Sequence, residues 1–346
     1  MSGPAVSAPD FLAQASTAVE KSMELFMEGR SLPLYRMMGY QLGWVDENGT
    51  PREANRPLRV RGALCLLAAS AISGRFKDAL RHAVAIELVH NYSQMHADVQ
   101  EGNTERAGRG SVWWVWGPAQ AINAGDGMHA LARLAMFELS KDGVAPELVS
   151  DALQALDLAA LDLCEGSYFD TVYQERVTIL VDEYLQMTAR ASGALVGCAT
   201  RLGAMAAGET GSSRLDALQK FGQKCGISMR LSSDLRAFWD GSDRSGPLQG
   251  RILAKKKTLP VIHALEKADV KTKRALGEIY AQRVLDPGDI EKVRGILEAA
   301  GSRAYTEQVI AKLNQEASAA LADAGIGQPE ADRLLEAAQF ATRTSG

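Results

Sequence analysis

From Phe11 to its end, this 346-residue chain repeats apolar residues at helical spacing, and Gly and Pro fall in short punctuations between long striped stretches. A period near 3.6 held over so much sequence points to an all-α fold, because most of the striped stretches are too long to be strands. The spacing predicts helices over about 11–29, 59–74, 76–99, 117–140, 145–164, 171–203, 213–238, 257–268, 270–284, 287–299, 302–323 and 328–342, with ends good to roughly 2–4 residues. Three polar, turn-rich stretches interrupt the pattern: Gly43–Asn55, Glu101–Ser111 and Asp240–Gly250. The second and third follow helix ends that carry acidic residues, where the mouth of a helical bundle closes over a ligand. No repeat, low-complexity tract or long linker divides the chain, so one domain over 1–346 is expected, with 1–10 and 343–346 as flexible ends.

Composition narrows the partners. The net charge of −4 comes with Lys and Arg spread along the chain, which argues against a nucleic-acid partner held by phosphate contacts. No uncharged run reaches the ~20 residues that a membrane helix needs. Met1–Asp10 lacks a basic segment followed by an apolar one, so a cytoplasmic protein without a membrane span is expected. Cys65, Cys164, Cys198 and Cys225 lie far apart without metal-ligand spacing, and are expected to be buried free thiols.

The acidic residues are informative by position. Asp98 and Glu101 stand three apart at a predicted helix end and so share one face. Asp234 lies within the mostly apolar run Ile227–Trp239, where a lone carboxylate is costly unless partnered. Trp113, Trp114 and Trp116 read as core or interface aromatics before they read as π-faces for a carbocation. His90 and His96, six apart, read as packing histidines, and the run Lys255–Lys257 as either a solvated face or a site.

An ordered series of motifs adds to this. The helix Glu87–Glu101 ends in Ala97-Asp98-Val99-Gln100-Glu101, and the loop after it carries Arg106-Ala107-Gly108-Arg109. Gly117, Ala124-Gly125-Asp126, Glu165-Gly166-Ser167 with Asp170, Glu183-Tyr184-Leu185-Gln186-Met187 and Ser192-Gly193-Ala194-Leu195 follow in order. Ser233-Asp234-Leu235-Arg236-Ala237 and Lys256-Lys257-Thr258-Leu259-Pro260 complete the series. Together these resemble the trans-prenyl diphosphate synthases, over most of the chain from about Arg56 onward.

That resemblance implies an isoprenoid synthase fold: one large antiparallel helical bundle around a central cavity. It implies an allylic prenyl diphosphate as substrate and Mg2+ as cofactor, since clustered carboxylates at facing helix ends hold hard cations against a diphosphate. It makes Asp98, Glu101 and Asp234 the metal-binding and catalytic residues. Arg106, Arg109 and Lys256 are expected on the diphosphate, Arg56 and Arg59 on that of isopentenyl diphosphate, and Tyr92, Ser93 and Met95 along the cavity that sets chain length.

This sequence departs from the family pattern at the head-group residues. The first aspartate-rich motif keeps Asp98 and has Glu101 in its last place, and the second keeps Asp234 alone, with Arg236 in a carboxylate's place. Ala107 and Ala191 stand where the family has Arg and Lys, Arg230 where it has Gln, and Arg251 where it has Asp. Asp240 and Asp243 are candidate substitutes at the wrong spacing. The expected activity is therefore ionisation of an allylic diphosphate with terpene-synthase-like cyclisation or another prenyl transfer, in place of ordinary elongation. The alternative is a non-catalytic subunit that modulates an active prenyl synthase. A homodimer, or a heterodimer with such a synthase, is expected accordingly.

Overall fold

Apolar stripes without enough polar surface to stand alone force the helices to pack on one another, and they do so around a shared core. The computed structural model of the chain describes residues 7–52, 56–176, 178–239, 255–282 and 285–344. The helices are α1 (Asp10–Met27), α2 (Pro33–Gln41), α3 (Val60–Ser73), α4 (Leu80–Glu101), α5 (Val112–Trp116), α6 (Pro118–Phe137), α7 (Pro146–Glu175) and α8 (Val181–Thr188). Then come α9 (Ala194–Ala206), α10 (Ser212–Trp239), α11 (Leu259–Lys267), α12 (Val270–Ala281), α13 (Pro287–Ala299), α14 (Ser302–Asp323) and α15 (Glu330–Thr344). Between α4 and α5 the chain makes a short antiparallel hairpin, β1 (Glu105–Arg106) against β2 (Arg109–Gly110).

Local chemistry sets many boundaries. Proline opens α2, α6 and α7, where its missing N–H costs nothing. Left-handed glycines, Gly74 and Gly102, close α3 and α4. The main core draws on α1, α3, α4, α6, α7, α9, α10 and α15, and buries α4 on nearly every side, including its polar Glu87, Asn91 and Asp98. A second cluster joins the end of α10 to α11, α12 and α13, and a third joins α7, α8, α10, α11 and α14 around Tyr184.

Several expectations need correction. The helix α2 was not expected; it is only nine residues long and too short to show a stripe. The pattern predicts a break between 164 and 171, but α7 runs unbroken to Glu175 and the chain leaves helix at Arg176. Gly166 has a packing purpose instead: a Cβ there would lie 2.4 Å from the Ala191 backbone nitrogen, so glycine lets two segments touch. That second segment, Ala189–Gly193, is a π-helical turn between α8 and α9, the kind of irregularity often found at sites. The expected flexible ends are partly helical, since α1 begins at Asp10 and α15 reaches Thr344, while residues 1–6 and 345–346 lie outside the described set. Cys65, Cys198 and Cys225 are buried, and burial pushes the thiols of the latter two up to about 12. Cys164 is exposed, because it follows the buried Leu163 on the solvent side of α7.

Candidate functional site

The ends of α4 and α10, the middle of α7, the π turn and the chain at the start of α3 line one cavity of about 530 Å3. Its apolar lining includes Leu163, Leu195, Met229 and Phe340. Its charged lining is concentrated in Arg61, Glu101, Arg106, Asp170 and Arg230, with His90 between.

At the α4 end the hairpin folds Arg106 back onto the helix. Its Nε and Nη2 donate to both oxygens of Asp98 at 2.7 and 2.6 Å, the bidentate geometry that suits guanidinium and carboxylate. Asp98 is 1% exposed, and burial raises its carboxyl above the ordinary value although Arg106 pulls the other way. Glu101 accepts from Lys256 Nζ and, at 3.0 Å, from Asn103 Nδ2. The Lys256 ammonium also reaches Asp170 at 2.6 Å, so one buried lysine joins α4 to α7.

At the α10 end Asp234 is 2% exposed and fully occupied. Tyr184 Oη donates to its Oδ2 at 2.5 Å and the backbone N–H of Leu259 at 3.3 Å, while Arg230 Nε stands 3.4 Å from Oδ1. Arg230 also spans to Asp170 at 3.5 Å. The chain of contacts thus runs Glu101, Lys256, Asp170, Arg230, Asp234, across four segments distant in sequence.

Of the residues the sequence expects at one site, Glu101 and Arg106 line the cavity, while Asp98, Asp234 and Lys256 are held against its lining residues from behind the wall. Others are placed elsewhere. Arg56 and Arg59 are drawn to α1: Arg56 pairs with Glu24 at 2.5 Å and Arg59 with Glu20 at 2.5 Å, and Arg59 donates as well to the Leu42 carbonyl. The loss of contact with the cavity follows from two glutamates that compete for these guanidiniums. Arg109 is spent on the carbonyl of Tyr40 at 2.6 Å and stacks on that ring, so it ties the hairpin to α2. Of the turn before the first motif, Ser93 lines the cavity; Met95 is buried in the core, and the Tyr92 ring packs against His96 and His129.

Arg236 does not crowd a metal position, because it turns away to the carbonyl of Thr342 on α15. None of the three tryptophans lines the cavity: Trp113 donates to the Asn103 carbonyl at 2.7 Å, Trp116 meets Tyr40 edge-on, and Trp114 is exposed. Lys256 and Lys257 are buried rather than solvated, and Lys257 donates to the Tyr173 carbonyl at 2.9 Å near the end of α7. Asp240, Asp243 and Arg251, and the stretch Asp240–Gly250, lie outside the described residues.

Sequence reasoning missed His90, Arg61 and the pairing of Asp170. His90 reads as a packing histidine, yet it faces the cavity with its Nε2 3.0 Å from Nη1 of Arg61. Burial, together with Arg61, Arg106 and Arg59, holds this imidazole well below its usual value, hence neutral at pH 7. Asp170 stands in the ordered motif series, but nothing in its neighbours along the chain signals that it binds both Lys256 and Arg230.

The donor set does not suit the expected Mg2+. Among the described residues no group of three or more His, Cys, Asp or Glu side chains is arranged to hold a metal ion. Each oxygen of Asp98, Glu101, Asp170 and Asp234 already faces a nitrogen or hydroxyl donor. An octahedral cation needs several carboxylate oxygens released at once, so these residues do not fit it as they stand.

A family model described as polyprenyl synthetase matches residues 56–297. The chain is 33% identical over 299 residues to a geranylgeranyl diphosphate synthase of Mycobacterium tuberculosis, covering 86% of this chain and 84% of the relative. It is 36% identical over 226 residues to a (2E,6E)-farnesyl diphosphate synthase of Mycobacterium bovis, covering 65% and 61%. Among solved structures it superposes on the polyprenyl synthetase of Streptomyces coelicolor A3(2) with a TM-score of 0.87 and 29% identity, over 96% of this chain and 98% of that one. The geranylgeranyl pyrophosphate synthetase of Pyrococcus horikoshii gives a TM-score of 0.82 and 27% identity, over 97% of each. The all-α fold is that of the isoprenoid synthases, and the chain belongs to the polyprenyl synthetase family.

Proposed function

We propose that this protein is a prenyltransferase of isoprenoid biosynthesis that binds an allylic prenyl diphosphate in the cavity between α4, α7 and α10. The observation that carries the proposal is the cavity's mixed lining: Arg61, Arg106 and Arg230, with the Lys256 network beside them, supply cationic groups, and Leu163, Leu195, Met229 and Phe340 supply apolar surface. The prenyl tail would lie along Leu163, Leu195 and Met229, and the diphosphate would lie against the cationic groups. Ionisation breaks the carbon–oxygen bond with its electron pair leaving on the diphosphate, so guanidinium groups near that oxygen favour the departure. The apolar walls keep water from the allylic cation until a carbon nucleophile captures it.

The names of the relatives reported above weigh for chain elongation by a second prenyl unit rather than for the cyclising outcome expected from the altered motifs. The engagement of Arg56 and Arg59 by Glu20 and Glu24 weighs the other way, because it leaves the isopentenyl diphosphate pocket to other side chains. Incubation with labelled isopentenyl diphosphate and C10, C15 or C20 allylic diphosphates decides the matter. Elongated label supports the proposal; hydrocarbon products support cyclisation; no release of diphosphate from any of them rejects an enzyme. The saturated carboxylates favour the last outcome as a second reading, a binding subunit. Phe137, Leu158 and Leu161, exposed around one groove between α6 and α7, offer the face on which a second chain would sit. Light scattering that finds only a monomer would remove the homodimer, and a pull-down from the native host that recovers no prenyl synthase would count against the binding subunit. Among the described residues no helix is long and apolar enough to cross a membrane.

A further inference from the structure

A site built for a metal-bridged anion offers spare acceptors, and a site built for the bare anion offers spare donors. The cavity has the second character. Its lining carboxylates, Glu101 and Asp170, accept from Lys256 and Asn103, and Asp98 behind them accepts twice from Arg106. The guanidinium of Arg230 is less well served. Arg230 lines the cavity with its side chain only 12% exposed, and its Nε is buried without a hydrogen bond. Its two ion pairs, at 3.4 and 3.5 Å, are longer than the 2.7–2.9 Å of a well-made charged pair. Arg61, which α3 brings to the cavity lining, has a single side-chain hydrogen bond among the described residues, to a neutral imidazole. Buried donors left short of acceptors are rare in folded proteins and mark a place where a partner is missing. The partner here must be an acceptor that arrives from the cavity, and a diphosphate supplies several oxygens to forked guanidiniums without a metal between.

We infer that the cavity takes the diphosphate head group directly on side-chain donors, centred on Arg230 with Arg61 and Arg106, and that no divalent cation is needed to hold it. The inference rests on the function proposed above but concerns only how the head group is bound. Arg230 fills an arginine's place through shape as well as charge: a glutamine there would present one amide donor pair and leave Asp170 without its second cation.

The test is calorimetric titration of farnesyl thiolodiphosphate into the full chain, once in EDTA and once in excess Mg2+. The expected dissociation constants agree within about threefold. In EDTA, Arg230→Gln is expected to weaken binding by about tenfold or more, Arg230→Lys by less, and Arg61→Gln by several-fold. Binding that is seen in Mg2+ and falls more than about tenfold in EDTA overturns the inference and leaves the proposed function standing. Binding absent in both conditions overturns the two together. If Arg230→Gln does not fold, as read by circular dichroism, Arg61→Gln and the metal comparison on the unaltered chain decide the matter. Unaltered binding in EDTA by both glutamine variants would also sink it.

Discussion

The two helix ends that face the cavity carry one surviving aspartate each, and they use it in opposite ways. On α4, Asp98 is held by Arg106, which comes from a two-residue strand and is itself 24% exposed, so the pair can open toward the cavity with little else disturbed. On α10, Asp234 is enclosed by Tyr184, the N–H of Leu259 and Arg230, and these come from three separate segments. One carboxylate sits on an adjustable clasp, the other in a fixed joint. Similar motif remnants in sequence thus end in different physical states, because burial and the number of partners decide whether a charge is available to a ligand or consumed by the fold.

The sharpest way to break this contrast is Asp234→Ala. It removes the carboxylate that Tyr184 Oη and Arg230 share, and we expect a loss of about 3–5 kcal/mol in denaturant unfolding. A loss below about 1 kcal/mol would show that the joint is not fixed. Next, Tyr184→Phe removes a single donor to a buried charge and should cost about 2 kcal/mol by the same measurement. Asp98→Asn keeps the shape and gives up the charge opposite a partly solvated guanidinium, so about 1 kcal/mol is expected. A cost for Asp98→Asn above that of Tyr184→Phe would reverse the two ends.

The smallest effect is with pH. Burial holds His90 well below its ordinary value, and His82 is held at about 4 by burial alone. Both take up protons more readily when unfolded, so their contribution is present above about pH 6.5 and declines as pH falls below it. The melting temperature should therefore drop between pH 7 and pH 5, and His90→Gln should make that slope shallower. An unchanged slope would place His90 outside the coupled wall of the cavity.

Which parts of this were legible in the chain follows from the range of the forces involved. Helical class, most helix positions and the convergence of Asp98, Glu101, Arg106, Asp234 and Lys256 were readable, since period and motif order are local or one-dimensional signals. The short α2 and the true end of α7 were not, because Gly166 is set by contact with Ala191 and not by its neighbours in sequence.

The sequence by itself determined that this chain is helical, that it carries an ordered set of prenyl-synthase motifs, and that carboxylates had given way to arginines within them. Only the tertiary structure decided which of those charges remain at liberty. Glu20 and Glu24 draw Arg56 and Arg59 toward α1, Tyr40 occupies Arg109, and Asp170 crosses from α7 to meet Lys256 and Arg230. Ion pairing acts through space over a few ångströms between residues up to 155 positions apart, and no pattern along the chain encodes which partner arrives first.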